Sequence, residues 1–243
     1  MPTATQSIRE IVSTQPSAAT VFNRFDIDLC SQADQSLDRA CNELHLSVDQ
    51  VLEKLADAEA RERSGPPVDA ASLPIGRLIQ HIVRVHHQYV RQELPRLAEL
   101  AHKLTARLSD RAPEVKTVEE SLEELSADMF AHIQKEEHVL FPFISQMDQD
   151  ATIVYPPAHT CFRSVAQPIF MMEQEHESAG NIVTELRRLT NDFRPPVSAC
   201  SMHIALFAGL QDFEADFKQH VHLENDVLFP RAIELEAELK TRR

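Results

Sequence analysis

Apolar positions recur along most of this chain with the period of an α-helix. From Leu73 onward the pattern is long and regular. It predicts helix A over Pro74–Leu108, helix B over Thr117–Met147, helix C over Ile169–Thr190 and helix D over Ser198–Leu239. The A–B and C–D connections are short, which predicts an up-down four-helix bundle. Between B and C, a segment holding Pro156, Pro157 and Pro168 reads as an irregular loop. The first 62 residues carry only short helical patterns. Ser7-Ile-Arg-Glu10 has the spacing of a capping box. Helical runs follow over Ala18–Phe25 and Leu37–Leu44, and Ser47 opens another through Val51, Leu52 and Leu55. Ser64-Gly-Pro-Pro67 breaks the pattern. The expected organisation is therefore all-α: a small helical N-terminal domain (1–62), a linker (63–72) and a four-helix bundle (73–243).

Two stretches of the bundle are near copies of each other. His132 to Pro142 and His220 to Pro230 both read H-x-x-x-E-x-x-V-L-F-P, and their histidines are 88 positions apart. On a helix, residues four apart lie one above the other on the same face. Each copy therefore aims an imidazole and a carboxylate at one point: His132 with Glu136, His220 with Glu224. The repeat extends upstream, where His87 and His176 are 89 positions apart. Val83, Leu94 and Leu97 share a helical stripe with His87, and Met172, Val183 and Leu186 share one with His176. Seven and ten positions after His86 stand Glu93 and Arg96, so His86 is expected to face solvent. The bundle reads as an internal duplication of a two-helix unit. Each unit gives one His and then one His-x-x-x-Glu. Pro142 and Pro230 fall inside helical patterns and are expected to kink them.

Composition narrows the function. Only four Gly, few aromatics and abundant Ala, Leu, Glu and Arg favour helix throughout. A net charge of −14 argues against nucleic-acid and anionic-membrane partners. No run approaches the roughly 18 apolar residues of a membrane span. Met1–Gln15 lacks the long apolar run of a signal peptide. Cys30, Cys41, Cys161 and Cys200 show no zinc or redox pair spacing, which fits a reducing cytoplasm.

A lone buried His is usually a satisfied core residue, and a lone His-x-x-x-Glu is usually a helix-stabilising pair. The same set twice, on matched stripes, points to a shared site. Six polar groups in a bundle core would be costly to bury unpaired. Four imidazoles and two carboxylates suit two first-row metal ions, with Glu136 and Glu224 bridging both; iron or manganese is favoured over calcium or magnesium. The ferritin-like alternative needs E-x-x-H in both halves. Glu173-Gln-Glu-His176 matches it, but Arg84 stands three before His87. Asp128, one turn before His132, and Glu175, next to His176, are candidate acids supporting the ligands from behind. Glu137 is expected to be solvated, and His81, His86, His102, His138, His159, His203 and His222 to be surface or supporting residues.

The run from His81 through His87 to Glu93-Leu94-Pro95, the two H-x-x-x-E…L-F-P motifs and Met172-Glu-x-Glu-His176 resemble the repair-of-iron-centres family. Phe25-Asp26-x-Asp28-x-Cys30 resembles the signature of that family's N-terminal domain. The resemblance covers nearly the whole chain. It implies a hemerythrin-like bundle holding two non-haem iron ions on His87, His132, Glu136, His176, His220 and Glu224. It also implies a role in repairing iron–sulfur clusters damaged by nitric oxide or peroxide, with damaged or apo iron–sulfur proteins as partners. An oxygen or nitric oxide sensor or carrier remains open, as does a di-iron oxidase or nitric oxide reductase. A homodimer is compatible with all of these. The family signature usually has two adjacent cysteines; here Ser31 follows Cys30. Cys30 thus stays a candidate redox or N-terminal-domain site without a neighbouring thiol.

Overall fold

The computed structural model describes residues 2–15, 17–25, 27–29, 32–63, 70–108, 113–149, 164–196 and 199–241. Cys30, Cys161, His159, Pro156 and Pro157 lie outside them. The fold is all-α, and the described residues include no β-strand. The helices are α1 (Ile8–Thr14), α2 (Ala18–Arg24), α3 (Leu37–Glu43), α4 (Val48–Arg63), α5 (Ile75–Ile82), α6 (Gln88–Leu108), α7 (Pro113–Lys135), α8 (Phe141–Gln149), α9 (Ala166–Leu189), α10 (Ser201–Val221) and α11 (Phe229–Thr241). Three short π-helical turns join α5 to α6 (Val83–His87), α7 to α8 (Glu136–Leu140) and α10 to α11 (His222–Leu228). With them, α5–α6, α7–α8, α9 and α10–α11 are the four long rods of the bundle. Pro168, assigned to the loop above, sits in the first turn of α9, where its missing N–H has no partner to lose.

The chain divides into two compact units. The first comprises 1–67, 96–120 and 186–212; the second comprises 68–95, 121–185 and 213–243. In the first, α1 begins as its sequence predicts. Ser7 Oγ accepts from the Glu10 N–H at 3.2 Å, and the Glu10 carboxylate accepts from the Ser7 N–H at 2.9 Å. The short helices bury Ile8, Ile11, Phe22, Leu37, Val51 and Leu55. Arg9 pairs with Asp34 and donates to the Ala199 carbonyl, and Arg107 pairs with Asp28. Cys41 is fully buried there, and burial pushes its thiol above the usual range, so it is a poor thiolate.

The second unit has a core built by α5, α8, α9 and α11 around Ile82, Leu140, Phe141, Ile144, Leu228 and Phe229. Leu and Phe of both Leu-Phe-Pro copies are in it. Each of those prolines follows a π turn. Phe141 N–H reaches back five residues to Glu136 O, and Phe229 N–H to Glu224 O. The hydrogen-bond ladder changes register at these points, so a residue with no N–H costs little next.

Candidate metal centre

Each of these three π turns holds one of the six sequence-matched residues. Glu136 opens its turn, Glu224 lies in the next, and His87 ends the first. A π turn closes on the fifth residue instead of the fourth, so neighbouring side chains are less far apart around the axis. That corrects one expectation. His86 was expected to face solvent, but both His86 and His87 are buried, at 1% and 0% exposure. The 3.6-residue period used to separate them does not hold over Val83–His87.

His87, His132, Glu136, His176, His220 and Glu224 converge in the second unit, each no more than 3% exposed. They form two groups of four: His87, Glu136, His220, Glu224 and His132, Glu136, His176, Glu224. In each group one ligand atom per residue lies within 4.8 Å of every other. Both carboxylates belong to both groups. Glu136 Oε2 is 3.3 Å from Nε2 of both His87 and His132. Glu224 Oε1 is 2.9 Å from His220 Nε2 and 3.5 Å from His87 Nε2, and its Oε2 is 3.0 Å from His176 Nε2. His132 Nε2 and His176 Nε2 face each other at 2.9 Å.

Several polar atoms of this cluster are left without a partner. Both Glu136 oxygens, Glu224 Oε2 and His87 Nε2 are buried and make no aligned hydrogen bond among the described residues. Such orphans are rare in a native core and need a reason. Nitrogen and oxygen lone pairs converging from four helices are the donor set of a first-row cation. Without one, protons fill the role. Burial works against a charge on His87 and His132, but the two carboxylates outweigh it. His87 is raised from 6.5 to about 10 and His132 to about 9. Burial opposes the carboxylate charges too, with Glu224 adding to it at Glu136. The imidazoles still win, holding Glu136 below its usual range and Glu224 well below.

The outward nitrogens are held as well. His87 Nδ1 meets Glu137 Oε1 at 2.8 Å, and Arg91 grips the same carboxylate with two bonds of 2.9 Å. His176 Nδ1 meets Asn225 Oδ1 at 2.9 Å, and His132 Nδ1 meets Glu175 Oε2 at 3.1 Å, with Lys135 on the other Glu175 oxygen. Glu175 thus stands where a supporting acid was expected, while Asp128 is exposed. Glu137, expected in water, is a ring-orienting partner instead, because the π turn begun at Glu136 turns it toward His87. The repeat could have revealed it. Glu137 and Asn225 follow the Glu of each motif in the same register, and both hold the first His of their own half. Phe141 lies parallel to the His87 ring and Phe229 to the His176 ring, at 5.6 and 6.3 Å between centroids. The Leu-Phe-Pro copies therefore wall the cluster.

Of the other histidines, His102, His138 and His222 are exposed, as expected for surface residues. His203 is buried against Phe207 in the first unit, and burial lowers its pKa. No described helix is long and apolar enough to cross a membrane.

Residues 78–232 match the hemerythrin HHE cation binding domain, and residues 4–59 match the ScdA_N domain of unknown function. A probable iron-sulfur cluster repair protein of Haemophilus influenzae is 31% identical over 233 residues, which is 96% of this chain and 99% of the relative. The iron-sulfur cluster repair proteins YtfE of Dickeya chrysanthemi and Pectobacterium atrosepticum are 34% and 33% identical. Each covers 94% of this chain and 96% of its own length. An N-terminal ScdA_N match, a hemerythrin-type bundle with a buried His/Glu cluster and end-to-end similarity together place this chain in the family of the iron–sulfur cluster repair proteins.

Proposed function

We propose that this chain holds two non-haem iron ions and repairs iron–sulfur clusters damaged by nitric oxide or peroxide, in the cytoplasm. The observation that carries the reading is that two four-residue ligand groups share Glu136 and Glu224. A pair of carboxylates common to both groups suits two ions side by side. His87 and His220 would hold one, and His132 and His176 the other. Bound iron would supply coordination positions open to a small ligand such as nitric oxide or oxygen, together with one-electron chemistry.

The chain's own residues do the rest. Glu137, Glu175 and Asn225 fix the ring planes of His87, His132 and His176. They also fix the tautomer: Nδ1–H points outward and Nε2 is left free to face the cluster. The buried Phe141 and Phe229 exclude water from one wall. In metal-free protein, protons shared between the imidazoles and the two glutamates keep six buried polar groups compatible with a folded core. Damaged or apo iron–sulfur proteins are the partners this reading implies.

Reactivation of a nitric-oxide-damaged iron–sulfur dehydratase tests it. Iron-loaded protein should restore the dehydratase, and a His176→Ala, Glu224→Ala double variant should not. Equal recovery with both would overturn repair through this site. Reversible gas binding with no reactivation would favour the sensor or carrier reading instead.

A further inference from the structure

Three of the four inward histidines have an outward partner; among the described residues His220 has none. Its Nε2 meets Glu224 Oε1 at 2.9 Å, but its Nδ1 is buried with no hydrogen bond. The His86 ring lies beside it, parallel within 8°, with centroids 5.7 Å apart. His86 is the mirror case. Its Nδ1 meets Asp216 Oδ1 at 2.8 Å, and its Nε2 is buried with no partner. Two neighbouring rings thus carry one orphaned nitrogen each. Leaving both unsatisfied would cost the desolvation of each nitrogen with nothing in return.

The internal duplication gives an independent reason to join them. Glu175 immediately precedes His176 and holds His132 of the other half. His86 immediately precedes His87 and stands beside His220 of the other half. His86 is therefore the repeat counterpart of Glu175, and Asp216 that of Asp128. The two copies differ in access to water. A surface cavity of about 150 Å³ reaches His132, lined by Met129, Lys135 and Glu175 among others. At the other copy, Phe217 and Leu223 stand at the positions of Met129 and Lys135, and both are buried. Water is poorly placed to serve His220, so its partner has to come from the protein.

We propose that His86 is a positioning residue of the metal centre: its ring, parallel to that of His220 and held at Nδ1 by Asp216, is placed to take a hydrogen bond from His220 Nδ1–H at its Nε2 when the metal is bound. The tautomers agree along the chain. A His220 that offers Nε2 inward carries its hydrogen on Nδ1. A neutral His86 with hydrogen on Nδ1 has its lone pair on Nε2. Asp216, with its side chain 18% exposed and its Oδ2 buried without a partner among the described residues, ends the chain as the acceptor. One ligand is then backed by a carboxylate acting through an intervening imidazole, where its counterpart His132 is backed by a carboxylate directly.

The inference rests on the two-ion reading above, and its test separates the two. Full-length wild type and the variants His86→Phe, His86→Gln and Asp216→Ala are titrated anaerobically with iron(II) against a chromophoric chelator. Mössbauer spectra are taken on loaded protein, and melting is followed on metal-free protein. Phe keeps the ring without nitrogens; Gln keeps one acceptor and one donor. His86→Phe should bind iron on the order of 10–100-fold more weakly and change the signal of one iron. Asp216→Ala should move in the same direction, and His86→Gln should recover most of the affinity. Wild-type affinity and spectrum in His86→Phe would overturn the inference alone. So would Gln and Phe variants equally weak and equally reduced in metal-free melting temperature, which is the behaviour of simple packing. A wild type that takes up no iron would overturn the two-ion reading and this inference with it.

Discussion

At the scale of single residues, the cluster is an exchange between protons and a cation. His87 and His132 keep their protons up to about 10 and about 9 in metal-free protein, because Glu136 and Glu224 outweigh the burial that opposes charge. A ligating imidazole must be neutral, so metal uptake at pH 7.5 has to expel those protons. Calorimetric titration in buffers of different ionisation enthalpy should show about two protons released per chain. Apparent affinity should tighten as pH rises and level off only above about 10, where both imidazoles are already neutral. No net release at pH 7.5 would contradict the charge states drawn here. A second prediction concerns Glu137, which holds His87 Nδ1 and is itself held by Arg91. Glu137→Ala should weaken metal binding on the order of 10–100-fold, read by chelator competition. Exposed Glu177→Ala should leave it unchanged.

At the scale of elements, the duplicated H-x-x-x-E…V-L-F-P segment is a buried His/Glu pair, a π turn and an apolar anchor in one stretch. The positions within it are unequal. Phe229 is fully buried and parallel to His176, whereas Val139 is 48% exposed. Phe229→Ala should cost about 3–5 kcal/mol in denaturant unfolding of metal-free protein, and Val139→Ala less than about 0.5 kcal/mol. Comparable losses would mean the motif is not anchored as described. This scale also explains what the sequence could and could not say. The 3.6-residue period placed every long rod, because most apolar positions of the bundle follow regular helix. It failed at His86, which lies in a π turn where that period does not apply. It failed at Glu137 for the same reason. Spacing alone carries no signature of a π turn, although a Pro six residues after each Glu marks where two of them end. The convergence of the six ligand candidates was legible because duplication repeats both spacing and stripe.

At the scale of the whole molecule, the family assignment rests on similarity spanning both the ScdA_N segment and the hemerythrin-type bundle. The N-terminal segment carries Cys30 followed by Ser31, so no adjacent pair of thiols exists there. The buried Cys41, with its raised thiol pKa, is a poor substitute. Iron is assigned to the bundle alone, so Cys30→Ser should leave iron content unchanged. The account turns on the bundle, and specifically on carboxylates shared between two ions. If two ions share Glu224, removing that carboxylate takes a ligand from both and raises the repulsion between them. Iron per chain in wild type and in Glu224→Ala, expressed at the same iron supply, is the direct measurement. Wild type should carry about two irons and the variant should lose both, with a fall in melting temperature as ligand stabilisation disappears. A Glu224→Ala protein that keeps one fully occupied iron and melts like wild type would contradict it.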